Sequence, residues 1–223
     1  MNDIKNALFS MADEKYKNFS EKLAMSKKEL IGVRLPQIKK LAKKLASFED
    51  PLSLIDTEYF EEIMLRGFVI AFLKKDLNDK LHLIKEHLTY IDNWSCCDSF
   101  CAALKIKDTD KKAFFEYLKN FLHNEDEFLV RFAIVMLLDH FIEDEFIDSI
   151  LNILSDIRHP GYYVKMAVGW AVSICFIKQR EKTLVFLKNS PLDAFTHNKA
   201  ISKIRDSFRV SAEDKDLLKT LCK

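Results

Sequence analysis

The sequence predicts an all-α protein, and two observations support this prediction. Apolar residues recur with the roughly 3.6-residue period of amphipathic helices along almost the whole 223-residue chain, and no segment has the clear alternation of a strand. The chain contains only four glycines and four prolines, too few for the many turns of a β-sandwich or barrel. Its composition, 48% hydrophobic and 31% charged, is that of an ordinary globular protein.

Individual helices follow from the same period. The segments predicted to be helical are 2–27 (continuous or broken), 35–48, 57–75, 79–90, 94–106, 109–123, 126–141, 144–156, 161–178, 180–189, 196–207 and 211–222. Pro36 and Pro160 indicate first helical turns, and acidic or amide caps are predicted in FEDPLS, DLND and HNEDE. The longest apolar run, residues 167–177, is too short to span a bilayer and is predicted to be a buried core helix.

A repeat runs through these helices. Apolar segments at 65–73, 96–104, 130–138 and 164–172 each contain one charged residue near the start. Together with residues of GVRLP and HNKAI they form a series, called the polar column below, whose members lie 32 to 34 residues apart: Arg34, Arg66, Asp98, Arg131, Lys165 and Lys199. A near-constant period with two helices per unit is typical of an α-solenoid. Because tetratricopeptide and ankyrin motifs are absent, we predict HEAT-like repeats in a single domain over residues 1–223.

The polar column predicts a concave basic groove, because equivalent residues of stacked repeats line up on one face. Although the formal net charge is only +1, basic residues are concentrated in segments 26–46 and 157–210. Such a face is typical of proteins that bind a polyanion. The residues expected to contact its backbone are Arg34, Arg66, Lys165, Lys199, Lys203 and Arg205. Alternatively, these cations are solvated, or pair with neighbouring helices for structural reasons.

Asp98 is the one acid in the polar column, between Arg66 and Arg131, and cations on either side favour its ionised form. Trp94 precedes it by four residues and therefore shares its helix face, while Trp170 lies two repeats later. A carboxylate and aromatic rings on a cationic track suit a polyanion that bears a cationic centre. The alternative is structural: both tryptophans belong to the core, and Asp98 is a counter-ion for an arginine.

The five cysteines do not predict a metal or redox site. Cys96 and Cys97 point in different directions on a helix, and no CxxC motif or nearby histidine completes a ligand set. We expect buried thiols at Cys97, Cys101 and Cys175, with no metal and no cofactor. The odd cysteine count and the absence of a secretory signal predict a cytoplasmic protein, and the sequence weakly favours a monomer.

Several motifs together resemble DNA alkylation repair proteins of the AlkD type, which are HEAT-like-repeat DNA glycosylases. The resemblance extends from about Lys28 to the C-terminus, and the matching segments are GVRLPQIKKLAKKLA, NWSCCDSFC, EFLVRFAIVMLL, YYVKMAVGWAVS and NKAISKIRDSFRVS. It implies excision of N3- or N7-alkylated purines from double-stranded DNA, and a bacterial-type protein associated with the nucleoid when it acts on DNA. The same resemblance assigns catalysis to Asp98, and the groove to Trp94, Trp170 and Arg131.

Two other functions are compatible with the residues alone. A non-catalytic solenoid could bind branched or damaged duplexes through the same basic residues, and a protein–protein scaffold is the commonest use of α-solenoids in general. Around Asp98, the small residues Ser95, Cys96 and Cys97 stand where the family resemblance implies more aromatic or acidic neighbours. Salt-dependent duplex binding distinguishes a scaffold from the two DNA-binding functions, and base release distinguishes these two from each other.

Overall fold

The computed structural model describes residues 3–223, and the chain divides into two compact units, Met1–Lys105 and Ile106–Lys223. The first unit contains α1 (Asp3–Ser10), α2 (Glu14–Ala24), α3 (Leu35–Leu45), α4 (Phe60–Phe72), α5 (Leu77–Leu88) and α6 (Trp94–Ala103). The second contains α7 (Lys111–Lys119), α8 (Glu127–His140), α9 (Ile147–Asp156), α10 (Tyr162–Lys178), α11 (Arg180–Lys188), α12 (Ala194–Asp206) and α13 (Ala212–Lys219). Residues 3–223 form no strand, so the all-α prediction is confirmed. The single domain over residues 1–223 stays a prediction.

The starts of several helices coincide with side chains that accept otherwise unpaired backbone N–H groups. Asp76 caps α5 and Asp126 caps α8, as predicted in DLND and HNEDE. FEDPLS instead leads into a short 3-10 turn at Leu52–Leu54. The first predicted helical segment, 2–27, is broken between α1 and α2. The helix starts again at α2 because the side chain of Asp13 accepts the N–H of Tyr16 at 3.0 Å.

From Arg66 onward, the members of the polar column lie in every second helix. Its last five members lie in α4, α6, α8, α10 and α12, while α5, α7, α9 and α11 intervene, and Arg34 directly precedes α3. Within the first unit α3 packs on α4 and α4 on α6; within the second, α8 packs on α10 and α10 on α12. From α4 onward the predicted repeat of two helices is therefore confirmed, whereas only α3 and a short 3-10 turn lie between Arg34 and α4.

The helices of the column form most of the core. In α4 every residue from Phe60 to Ala71 is buried, and α8 is buried from Val130 to Leu138. The apolar run 167–177 lies in α10, where it is largely buried as predicted. None of the helices formed by residues 3–223 is long and apolar enough to cross a membrane.

Candidate functional site

Trp94 and Asp98 lie one turn apart at the start of α6, and both side chains are half-buried. The helix starts there because Asn93 accepts the N–H of Cys96 at 2.9 Å through its side-chain oxygen. The opposite side of α6 faces the core, where Phe100 is 2% exposed. Trp94 and Asp98 thus lie on the side of α6 that is accessible to solvent.

The thiols of α6 face the core, as predicted for Cys97 and Cys101, and Cys175 of α10 is buried in the second unit. Burial raises the pKa of the Cys175 thiol to about 12, and that of the Cys96 thiol rises for the same reason. The thiols of Cys96 and Cys175 are therefore protonated and unreactive at neutral pH. Among residues 3–223, no three His, Cys, Asp or Glu side chains are grouped in a way that could hold a metal ion.

The orientation of the Trp94 ring is set by a hydrogen bond to another helix. Its indole Nε1 donates to the carbonyl oxygen of Leu23, in the last turn of α2, at 2.8 Å. Since the only polar hydrogen of the indole is used in this bond, the ring offers a ligand its π face and its apolar edges. Leu23 and Met25, which are 49% and 68% exposed, extend the apolar surface at the end of α2.

The segment after α2 is attached to the start of α6 by Asp92. Its carboxylate accepts the hydroxyl of Ser26 at 3.0 Å and the backbone N–H of Lys27 at 2.7 Å. The same carboxylate accepts the side-chain amide of Asn93, the residue that caps α6, at 2.8 Å. Three donors on one carboxylate hold this segment beside Trp94.

A second carboxylate, that of Glu61, holds the loop of the GVR motif. Although only 1% exposed, it accepts the backbone N–H groups of Ile31 at 2.8 Å, Gly32 at 2.7 Å and Val33 at 3.1 Å. The loop can present these consecutive donors because Gly32 has a φ of +97°, a conformation that side chains other than glycine disfavour. Glu61 of α4 thereby positions Arg34, the residue that follows the loop.

The two arginines of the polar column in the first unit differ in exposure. Arg34 is exposed, pairs with Asp13 at 2.7 Å and lies over the Tyr16 ring at 4.8 Å. The N–H of Tyr16 and this guanidinium lower the pKa of the Asp13 carboxyl. Arg66 is 7% exposed and pairs with Glu86 at 2.6 Å. The burial of Arg66 and its pairing favour a structural role over the predicted phosphate contact.

Arg131 of the second unit is also nearly buried, with 5% of its surface exposed. Its guanidinium donates to the carbonyl oxygen of Tyr163 at 2.8 Å, while Glu127, one turn earlier on α8, accepts the N–H of the same residue. The start of α10 is thereby joined to α8 through both backbone polar groups of Tyr163. The groove role of Arg131 stays a prediction.

The remaining predicted cations belong to α10 and α12, and all of them are half-buried. Lys165 lies 3.7 Å from Asp193 and lines a cavity of about 370 Å³ between the starts of these helices. Lys199 lies over the Phe195 ring at 5.7 Å, and Arg205 lines a smaller cavity of about 300 Å³ with Lys215. The other two predicted residues of this region, Trp170 and Lys203, are half-buried as well.

Comparison with known protein families adds an observation independent of this geometry. The model of the family described as DNA alkylation repair enzyme matches residues 4–204, most of the chain. The chain belongs to this family. It matches none of the curated proteins.

As a DNA alkylation repair enzyme, the protein has a role in the repair of alkylated DNA. The family description indicates that its substrate is DNA. The matched residues include both tryptophans, Asp98 and every predicted cation except Arg205. The resemblance described from the sequence motifs is therefore confirmed at the level of the family.

Sequence reasoning missed the carboxylates that support the site in this DNA alkylation repair enzyme. Asp92 and Asn93 directly precede Trp94, and an Asx residue before a helical segment is a recognisable cap signal. Glu61 had no such signal, because its partners lie about 30 residues away in a loop. Only the structure shows that the carboxylate of Glu61 accepts hydrogen bonds from backbone N–H groups.

Proposed function

We propose that this protein is a DNA glycosylase that hydrolyses the N-glycosidic bond of N3- or N7-alkylated purines in duplex DNA. The observation that carries the proposal is the half-buried pair on α6, in which Asp98 follows Trp94 by one turn and the Trp94 N–H is occupied by Leu23. Membership of a DNA alkylation repair family supports it.

The chemistry of the lesion explains why a single carboxylate is enough. An N3- or N7-alkylated purine carries a positive charge, so it departs as a neutral base with the electron pair of the glycosidic bond and needs no general acid. The positive charge then develops on the sugar, and an ionised Asp98 stabilises this oxocarbenium-like centre. The same carboxylate orients a water whose oxygen bonds to C1′, and the proton of that water passes to solvent.

Trp94 contributes a surface without hydrogen-bond specificity. With its N–H already donated to Leu23, the ring interacts with a cationic base or a sugar through its π face and C–H edges. Recognition through charge rather than through a donor and acceptor pattern suits adducts that share a positive charge. Trp170 and Arg131 are proposed to contact the DNA as well, and the exposed or half-buried cations Arg34, Lys165, Lys199, Lys203 and Arg205 to contact DNA phosphates.

The test is release of N7-methylguanine from methylated duplex DNA by the wild type and by Asp98→Asn, with binding measured in parallel. We expect Asp98→Asn to release base about 10²–10³ times more slowly while binding DNA as before, because it removes one stabilising charge at constant size. Asp79→Asn, an exposed acid on α5, is the matched control and should keep wild-type activity.

Each other outcome rejects a defined part of the proposal. A wild type that binds duplex DNA but releases no base would be a DNA-binding protein without excision. An Asp98→Asn variant as active as the wild type would exclude the mechanism while keeping the class. Binding that does not weaken with added salt would indicate a scaffold function instead.

A further inference from the structure

Four aromatic side chains of the second unit form a continuous row that the proposed chemistry does not use. The row, called the aromatic row below, consists of Phe128, Tyr163, Tyr162 and Phe195. Successive ring centroids are 5.4, 5.3 and 6.1 Å apart. These distances are within the range of direct ring contact, so the row connects the starts of α8, α10 and α12.

The aromatic row follows the period of the polar column. In each of α8, α10 and α12 a ring precedes the column cation by three or four residues, the spacing that places two side chains on one helix face. The pairs are Phe128 with Arg131, Tyr162 with Lys165, and Phe195 with Lys199. At the starts of α10 and α12, exposed rings thus share a helix face with half-buried cations, whereas Arg131 of α8 is nearly buried.

Two members of the aromatic row have exposed side chains. Tyr162 is 56% exposed and Phe195 is 40% exposed, so neither is required to fill the core. Their backbone is nevertheless well held. Glu127 accepts the N–H of Tyr163, and Asp193 accepts the N–H of Thr196 at 3.2 Å at the start of α12. The exposed rings are therefore presented by rigid helix starts.

The neighbouring charges indicate what kind of partner the rings take. Lys199 lies 5.7 Å from the Phe195 centroid, and Lys165 is 30% exposed beside Asp193. Exposed rings interleaved with cations are the combination that binds single-stranded nucleic acid, where bases stack on rings and cations follow the phosphates. A paired duplex hides the faces of its bases, and an apolar protein partner has no need of the cations.

We propose that the aromatic row binds the unpaired bases of a single-stranded DNA segment. This binding lies outside the excision chemistry and does not depend on it. Tyr162 and Phe195 stack on unpaired bases, while Lys165 and Lys199 contact the phosphates between them.

Fluorescence anisotropy with two labelled 12-nucleotide probes tests this proposal. One probe is oligothymidylate and the other is an abasic strand of the same length and charge. We expect the wild type to bind oligothymidylate more tightly, and Tyr162→Ala and Phe195→Ala each to lose about tenfold in affinity for it, since stacking supplies that order of free energy per base. Phe48→Ala, an equally exposed phenylalanine of the first unit, should bind as the wild type does.

The opposing outcomes are equally clear. Equal affinity for the two probes, or undiminished oligothymidylate binding by both alanine variants, would overturn the proposal. Self-association of the wild type that Tyr162→Ala abolishes in sedimentation would make the aromatic row a contact between copies of the chain. Asp98→Asn should keep oligothymidylate binding, and Tyr162→Ala should keep base release from fully paired DNA, so that either proposal can fail alone.

Discussion

The indole Nε1 of Trp94 donates to the carbonyl oxygen of Leu23 at 2.8 Å, joining the first residue of α6 to the last turn of α2. Asp92, two residues before Trp94, binds Ser26 and Lys27 on the other side of the same junction. The ring proposed to contact the lesion is therefore oriented by a helix more than 70 residues earlier in the sequence. A defect at this junction should affect both stability and excision.

Replacing Trp94 separates these two effects. Trp94→Phe keeps an aromatic face but loses the donor to Leu23, so the free energy of unfolding should fall by about 1 kcal/mol while most base release remains. Trp94→Ala removes the face as well and should lose most of the release. Thermal melting and the N7-methylguanine assay measure the two quantities. Equal activity of Trp94→Ala and the wild type would contradict the assignment of Trp94.

Glu61 should be among the most sensitive carboxylates of the first unit. Glu61→Gln places an amide group where the carboxylate accepts Ile31, Gly32 and Val33, so at least one buried N–H loses its acceptor. We expect the free energy of unfolding in urea to fall by about 2–3 kcal/mol. Glu21→Gln, an exposed acid of α2, should change it by less than about 0.5 kcal/mol. Equal effects of the two substitutions would show that the loop does not depend on Glu61.

The fold could be predicted from the sequence because periodicity reports which residues are buried. The apolar stripes located the helices, and the constant spacing of the polar column located every second one. The predicted helix ends were less accurate. The helix predicted to begin at residue 57 begins at Phe60, because Glu58 and Tyr59 donate their N–H groups to the side chain of Glu62. Such a capping box is a local signal, but it competes with the apolar pattern around it.

The site could be predicted only in part, because periodicity gives the face of a helix but not the depth of a side chain. Trp94 and Lys199 are half-buried and remain accessible to solvent, and their roles stay predictions. Arg66 and Arg131 have the same register but are nearly buried, and their partners Glu86 and Tyr163 come from distant positions. Long-range pairing of this kind leaves no mark in the local sequence.

Because His87 is buried, we expect acid to lower the free energy of unfolding of the first unit. Burial, with a contribution from Arg66, lowers the pKa of the imidazole from 6.5 to about 3. Its Nδ1 has no hydrogen-bond partner among the residues the structure describes. The unfolded chain therefore binds a proton near pH 6.5 and the native chain only near pH 3, so the free energy of unfolding falls as the pH drops through this interval. Between pH 7 and 5 the loss should be about 2 kcal/mol.

Urea unfolding of His87→Gln at several pH values checks the origin of this dependence. The variant should be less stable at pH 7, because it disturbs the contact with Phe100, but its unfolding should depend less on pH. His82→Gln changes an exposed histidine of the same helix and should keep the wild-type dependence. Should the pH dependence of His87→Gln equal that of the wild type, another group would be responsible.

The burial of each cation predicts whether it contacts a DNA phosphate. Lys199 is half-buried on α12, so Lys199→Ala should remove one phosphate contact and reduce the slope of log affinity against log salt by about 0.9. Lys188→Ala, on the intervening helix α11, should leave the slope unchanged.

Arg66→Ala should behave in the opposite way. Its guanidinium is held by Glu86 inside the first unit, so the free energy of unfolding should fall by about 2 kcal/mol while the salt slope stays the same. Measuring affinity at several salt concentrations, together with urea unfolding, distinguishes the two cases. A reduced slope for Arg66→Ala at unchanged stability would mean that Arg66 exchanges Glu86 for a phosphate when DNA binds. The phosphate contact predicted from its position in the polar column would then be correct, although Arg66 is buried in the absence of DNA.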